Sequence, residues 1–189
     1  MDKSQTSIAL GPRFAAYIEE LRSAWETEEV TLRAQLCREA MENLLLSTDE
    51  TWLAFIDDLA SKPDARELYR DPSFEFIQMA HSYSLDHATP PHGHGDGGWV
   101  VYGVQRGSVE IATYEPTGDQ SERVKLAESK CMTPGMAQAY LPGELHSTRT
   151  MTTEADNSHG TIVLRFLSED LSKLKRSRYR WEDVVTSTK

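Results

Sequence analysis

The sequence predicts a mainly β protein in which a helical N-terminal layer packs on a small barrel. In the first third of the 189 residues, apolar side chains recur at helical spacing. After about residue 68 the apolar runs become shorter, and turns rich in glycine and proline separate them, as in an antiparallel sandwich or barrel. A chain of this length corresponds to one domain with a core of its own.

Composition and charge argue against several classes of protein. The chain has 20 Lys+Arg against 30 Asp+Glu, and the formal net charge of −10 disfavours general binding to nucleic-acid phosphates. No apolar run approaches the roughly 20 residues of a membrane helix, and the first residues lack the apolar core of a secretory signal. Two cysteines make no disulfide framework and fit a reducing compartment. We therefore expect a cytoplasmic protein with no nucleic-acid and no membrane partner; a homodimer stays open.

Three helices are predicted ahead of the barrel. Apolar spacing predicts the buried faces of the first two, formed by Phe14, Tyr17, Ile18 and Leu21 and by Leu32, Leu36, Ala40 and Leu44. Ser47 and Glu50 have the spacing of a capping box before the third helix, and Pro63 ends that helix.

Six strands are predicted after the helices, at residues 74–80, 99–105, 109–114, 138–141, 146–150 and 161–167. The stretch 171–185 returns to helix or coil. We divide the chain into a helical layer over residues 1–65, a barrel over residues 66–170 and a C-terminal helix or tail over residues 171–189.

A pattern of histidines carries the chemistry. His92 and His94 are separated by one residue, so on an extended chain both side chains point to the same face. His146 follows a Pro-Gly turn at the start of a later predicted strand, and the HxH likewise follows a proline-containing turn and is predicted to lie at a strand entry. Three neutral imidazoles suit iron, zinc, copper or nickel, and they leave coordination positions open for a substrate. An isolated HxH pair is also common by chance, and the turns and the third histidine favour the metal site.

The residues around these histidines resemble the cupin barrel. Its first motif is HxH followed by a strand that ends in glycine, matched by His92-Gly93-His94 and by WVVYGVQRG at 99–107. Its second motif is a turn with a histidine three residues after the glycine, matched by PGELH at 142–146. Within the cupins, ATPPHGHG followed by WVVYGVQRG most resembles the cysteine dioxygenase family, which includes bacterial 3-mercaptopropionate dioxygenases. The resemblance covers roughly residues 66–168.

The resemblance implies a double-stranded β-helix with a mononuclear non-haem iron(II) held by His92, His94 and His146. Nickel, manganese or zinc stay open as the metal. It also implies a dioxygenase that oxidises a small thiol with dioxygen to a sulfinate. No glutamate follows the HxH where many other cupins have an acidic ligand. Three neutral ligands leave the charge of the metal uncompensated, which favours an anionic substrate such as a thiolate.

The sequence departs from that family on the strand at 161–167. Members of the family carry a Ser-His-Tyr relay on late strands, whereas Val163, Arg165 and Leu167 stand in the matching places here. The catalytic residues therefore stay undetermined, as does the role of the GDGG loop at 95–98. Two other classes stay open: a metal-dependent cupin enzyme of other chemistry (a lyase, isomerase or carbon–carbon dioxygenase), and a non-catalytic cupin that binds a small ligand or a metal.

Three residues are candidates for binding the substrate. Arg165 can hold a carboxylate with two parallel hydrogen bonds if it faces the barrel interior, and an outward salt bridge is its alternative. For Arg70 the alternative is a surface turn residue, and for Tyr102 it is core packing. The basic run KLKRSRYR at 173–180 is interpreted as a solvated helix, with contact to an acidic partner or nucleic acid as the alternative.

Overall fold

A computed structural model describes residues 10–61, 64–118, 123–151 and 160–185. The helices are α1 (Pro12–Ala24), α2 (Val30–Leu45) and α3 (Glu50–Ser61). The strands are β1 (Ala65–Arg70), β2 (Ile77–Tyr83), β3 (Ala88–His92), β4 (Val100–Arg106), β5 (Val109–Pro116), β6 (Val124–Met132), β7 (Ala137–Tyr140), β8 (Leu145–Thr150), β9 (Thr161–Leu167) and β10 (Val184–Val185). Short 3₁₀ turns lie at Leu171–Lys173 and Trp181–Asp183.

The strands form two five-stranded sheets. Their orders are β1-β2-β9-β4-β7 and β10-β6-β5-β8-β3. The antiparallel pairs β2–β9, β3–β8, β4–β7 and β5–β6 are nested in the sequence, with the first core strand beside the last. This nesting is the strand order of a jelly roll, or double-stranded β-helix. The predicted fold class, a cupin-type barrel behind a helical layer, is confirmed.

The first sheet is covered on both faces. Its outer face packs against the helices in one apolar cluster, to which Trp52 of α3 and Phe166 of β9 belong. Its inner face packs against the second sheet in another cluster, with Val163 of β9 and Ile111 of β5 among its members. Because side chains alternate along a strand, four strands of this sheet, β2, β4, β7 and β9, contribute to both clusters.

The helical layer agrees with the prediction except for one face. The predicted face of α1 is buried, but Leu32 and Leu36 of α2 are 45% and 37% exposed. The buried face of α2 is instead formed by Ala34, Cys37, Ala40, Met41, Leu44 and Leu45. The small residue Gly103 of β4 lets this helix approach the sheet closely, because a Cβ there would lie 2.5 Å from the sulfur of Met41.

The third helix begins with a different cap from the predicted one. The carboxylate of Asp49 accepts hydrogen bonds from the backbone N–H groups of Thr51 and Trp52, at 2.9 and 3.3 Å. Ser47 instead accepts a hydrogen bond from the N–H of Asp49. An aspartate directly ahead of the first turn satisfies two of its free N–H groups, so Ser47 is not required for that purpose.

The strand at 161–167 has the predicted bounds, whereas β2 begins later than predicted. Asp71 accepts the N–H groups of Ser73 and Phe74 and holds this segment in a turn, where Glu75 has a positive φ of 62°. Besides the two-residue β10, three strands were not predicted, β1, β3 and β6, and these are poor in apolar runs. Strand β6 shows this clearly, since most of its residues are exposed and its pairing with β5 defines it. The C-terminal segment, predicted as helix or coil, contains two short 3₁₀ turns and the two-residue strand β10 in its described part.

Among the described residues, no helix has both the length and the apolar character needed to cross a membrane.

We expect Asp71→Ala to destabilise the protein by about 3 kcal/mol, because four donors lose a buried acceptor. Its carboxylate accepts Arg22 Nε at 2.7 Å and Tyr69 Oη at 3.0 Å, besides the two backbone N–H groups. Burial alone raises the pKa of the Asp71 carboxyl, but these hydrogen bonds hold that pKa below its usual value. The stabilisation is therefore present above the pKa of an unfolded aspartate and is lost as the pH falls through the folded pKa.

Urea unfolding at neutral and acidic pH measures both the loss of stability in Asp71→Ala and the dependence of the stability on pH. Asp57→Ala is the matched control, because Asp57 is 67% exposed and pairs with Arg106 at the surface. Its removal should cost no more than about 0.5 kcal/mol. Equal losses in the two variants would contradict the role of Asp71.

Candidate metal centre

Three histidines that are separate in the sequence meet in the barrel. His92, the last residue of β3, lies directly opposite His146 of β8, and opposed residues of an antiparallel pair share one face. His94 follows in the loop after β3. One nitrogen from each ring lies within 4.8 Å of the other two. These three side chains could hold one metal ion.

The HxH motif ends a strand, whereas the sequence placed it at a strand entry. Strand β3 has the sequence ATPPH, and its pairing with β8 shifts register between Thr89 and His92. Consecutive prolines lack the N–H groups of a regular ladder, so this segment has the sequence signature of a turn. The sequence of this segment therefore does not predict β3, because its pairing with β8 is what makes it a strand.

The nitrogen positions fit a metal. The Nδ1 of His92 lies 3.0 Å from the carbonyl oxygen of Pro90, which can only accept, so Nδ1 carries the proton and Nε2 keeps its lone pair. The Nε2 atoms of His94 and His146 face each other at 3.3 Å. Two nitrogens bound about 2.1 Å from one ion at nearly a right angle are about 3 Å apart.

The imidazoles are held in the neutral form that metal binding requires. Burial, reinforced by the positive charge of Arg165, lowers the pKa of His94 to about 3. Burial also places the pKa of His146 well below its usual value and lowers that of His92. At neutral pH all three rings therefore offer a lone pair without first losing a proton.

Arg165 and Tyr102 lie beside the histidines. Arg165 stands on β9 between Val163 and Leu167, which both belong to the interior cluster, so it shares their face. Its guanidinium carbon lies 5.5 Å from the centre of the Tyr102 ring. The Tyr102 hydroxyl lies 3.3 Å from Nε2 of His146. Buried Nε of Arg165 has no hydrogen-bond partner among the described residues.

Arg70 is not brought to this group. Its guanidinium pairs with Glu67 at 2.7 Å and with Asp170 at 3.3 Å. Two carboxylates therefore occupy it, and none of the described contacts joins it to the histidines. The alternative interpretation, a residue near the surface, describes Arg70 better than substrate binding.

Other side chains of the barrel interior lie near these residues. The ring of Tyr140 in β7 packs against that of His146 in a tilted arrangement, with ring centres 4.7 Å apart. His81 and Tyr83, two residues apart on β2, also face inward, and Nε2 of His81 is buried without a partner in the described chain. Burial and the charge of Arg165 lower the pKa of His81 to about 4. The spacing of His81 and Tyr83, two residues apart, indicates from the sequence that both side chains lie on one face of a strand. It does not indicate that this face is the interior one, because the solvent-facing side of a strand would show the same spacing.

The basic run near the C-terminus also lies at the site, and it is not the predicted solvated helix. After its first residue, Lys173, the rest of the run is not helical, and Arg178 forms an antiparallel bridge with His92. The backbone N–H of Gly93 donates to the carbonyl of Ser177 at 2.9 Å. Tertiary pairing with β3 therefore determines the conformation of this run.

The GDGG loop lets the C-terminal segment pack closely. A Cβ on Gly98 would lie 2.6 Å from Leu174 and 2.7 Å from Leu171, and one on Gly95 would lie 2.9 Å from the carbonyl oxygen of Lys175. Gly95 also has a positive φ of 78°. The glycines give the inserted loop a packing role beside the histidines.

Comparisons with known proteins extend no further than the fold. No protein-family model matches the sequence, and none of the curated proteins matches it significantly. Similar solved structures include the cupin domain of Cnp3 from Schizosaccharomyces pombe, 9% identical over 58% of this chain and 66% of that chain, with a TM-score of 0.42. A double-stranded β-helix protein from Klebsiella pneumoniae is 11% identical over 62% of this chain and 80% of that chain, also with a TM-score of 0.42.

The DMSP lyase DddQ from Ruegeria pomeroyi is 16% identical over 63% of this chain and 52% of that chain, with a TM-score of 0.42. These neighbours have cupin folds, and they do not show membership of the cysteine dioxygenase family. At such low identity the chemistry of the site follows from this chain's own residues.

We expect the protein to bind one equivalent of a divalent transition metal. Replacing either buried ligand, as in His94→Ala or His146→Ala, should weaken this binding at least about tenfold, because two imidazoles cannot replace three. Metal content after dialysis, measured by inductively coupled plasma mass spectrometry, tests this. His87→Gln is the control, since His87 hydrogen-bonds Thr148 and lies outside the three-histidine group. Stoichiometric metal in both alanine variants would refute the ligand assignment.

Proposed function

We propose that this protein is a mononuclear non-haem iron(II) dioxygenase that oxidises a small thiol bearing a carboxylate to a sulfinate. The observation that carries the proposal is a group of three neutral imidazoles beside an inward arginine. No described aspartate or glutamate joins that group. A metal there would keep its full charge, and Arg165 adds another positive charge.

The charges of the site support an anionic substrate. The lowered pKa of His94 reflects burial in the first place and the positive charge of Arg165 in the second. A thiolate would neutralise part of the charge at the metal, and a carboxylate would satisfy the unpartnered Nε of Arg165. A neutral or cationic ligand would leave both charges uncompensated.

His92, His94 and His146 would hold the iron, which when bound would activate the thiol and dioxygen so that both oxygen atoms are transferred to sulfur. Arg165 would hold the substrate carboxylate and so orient the sulfur relative to the histidines. The Tyr102 hydroxyl, next to His146, would donate a hydrogen bond to the bound substrate or oxygen. The apolar side chains of the interior cluster, such as Val163 and Ile111, would exclude water from the reacting atoms.

A second candidate is a metal-dependent lyase. The buried hydroxyl of Tyr102, 3.3 Å from Nε2 of His146, favours it, because tyrosine is one of the side chains that act in general acid–base catalysis. Consumption of dioxygen separates the two candidates, since elimination consumes none.

We expect iron-loaded protein to consume oxygen with a thiol substrate and to form one sulfinate per dioxygen consumed. An oxygen electrode and mass spectrometry would follow cysteine, cysteamine, 3-mercaptopropionate and mercaptosuccinate, with His146→Ala as the blank. Loss of the ligand should remove uptake, because iron is no longer held. If bound iron supports no uptake with any of these thiols, the dioxygenase proposal fails.

We expect Arg165→Gln to raise the KM for 3-mercaptopropionate about 30-fold or more, because loss of a buried charge-assisted bond costs about 2–5 kcal/mol. Uptake with cysteamine, which has no carboxylate, should not show this rise in KM. Arg149→Gln is the control, because Arg149 pairs with Glu110 at the surface. A KM that rises equally for both thiols would argue that Arg165 serves the fold rather than the carboxylate.

A further inference from the structure

The C-terminal segment brings arginines to the face of β3 that carries His92. Two backbone hydrogen bonds of 2.9 Å, from Gly93 N–H to Ser177 oxygen and from Tyr179 N–H to Pro91 oxygen, fix an antiparallel register. In that register Arg178 lies opposite His92. Opposed residues of an antiparallel pair present their side chains on the same face, so Arg178 lies on the side of the histidines.

Arg176 shares that side because it lies two residues from Arg178 along the same segment. Its Nε donates to the carbonyl of Leu171 at 3.0 Å, which fixes the base of the guanidinium and leaves its terminal nitrogens available. Leu171 belongs to the interior cluster of the barrel, and Leu174 packs against it. The arginine is therefore anchored at the rim of the interior rather than displayed in solvent.

Neither Arg176 nor Arg178 forms an ion pair with another described residue. The ion pairs of the described residues include neither of them, nor Arg165. Three unpaired guanidiniums around one site in a chain of net charge −10 form a local field of the opposite sign to the whole molecule.

We propose that the substrate carries two carboxylates, of which Arg165 binds one inside the barrel and the pair Arg176 and Arg178 binds the other at its rim. This inference rests on the proposed function insofar as the dianion is the substrate. A single carboxylate could satisfy only Arg165, and the arginines of the C-terminal segment would remain unpaired beside a cationic metal. A second carboxylate removes that repulsion, so specificity for a dianion follows from the charges already present.

The test compares two thiols that differ by one carboxylate. Mercaptosuccinate is 3-mercaptopropionate with an added carboxylate on the carbon that carries sulfur. Calorimetric titration of each into the full-length, iron-loaded protein without oxygen measures binding and not turnover. We expect mercaptosuccinate to bind at least about tenfold more tightly, which corresponds to one charge-assisted hydrogen bond. Succinate, which has no sulfur, should likewise bind more tightly than propionate.

Three variants assign the preference to its residues. Arg176→Gln and Arg178→Gln should each reduce the ratio of the two thiol affinities severalfold, with little change in the affinity for 3-mercaptopropionate. Arg180→Gln is the control from the same basic run, because Arg180 is highly exposed and pairs with Glu182. Arg176→Lys keeps the charge and should keep part of the preference. Retained metal content and circular dichroism show that each variant is folded.

Equal affinity for the two thiols in the unmodified protein would overturn the inference. A ratio that neither Arg176→Gln nor Arg178→Gln changes would also overturn it. Admitting oxygen afterwards tests the proposed function separately. If the dianion binds with the expected dependence on Arg176 but neither thiol is oxidised, dioxygenase activity is refuted and the two-carboxylate site is supported.

Discussion

The first sheet is buried on both faces, and the site depends on this constraint. Helices cover its outer face and the second sheet covers its inner face, so alternate residues of β9 enter two separate cores. Ile162, Leu164 and Phe166 pack against the helical side. The other face of the strand must then lie in the barrel, and it carries Arg165. A charged side chain is thus placed in the interior by the apolar residues on either side of it.

Once Arg165 is inside, its charge shapes the chemistry around it. It lies over the face of Tyr102 without an ion-pair partner among the described residues, and it repels a proton from the histidines. Neutral imidazoles can hold a metal, but they do not neutralise it. The interior therefore combines ligands for a cation with attraction for an anion. A metal-bound, negatively charged substrate would satisfy both requirements.

The C-terminal segment connects the rim of the barrel to the rest of the fold. It pairs with β3 beside His92, and further along the chain β10 pairs in parallel with β6 at the opposite edge of the second sheet. Tyr179 and Val184 pack against the outer face of that sheet. Both edge strands thereby gain a partner, as exposed sheet edges require. The same pairing keeps Arg176 and Arg178 next to the histidines.

The sequence by itself determined the helix and strand classes, the barrel and the three histidines, because periodicity and the turn-flanked HxH and PGELH motifs are local signals. Tertiary structure alone decided the inward face of Arg165, since alternation defines two faces but not which one is covered. It also decided the engagement of Arg70 with Glu67 and Asp170, and the extended course of the basic run. Strands β3 and β6 were not predicted because their pairing partners, rather than their own apolar content, hold them in place.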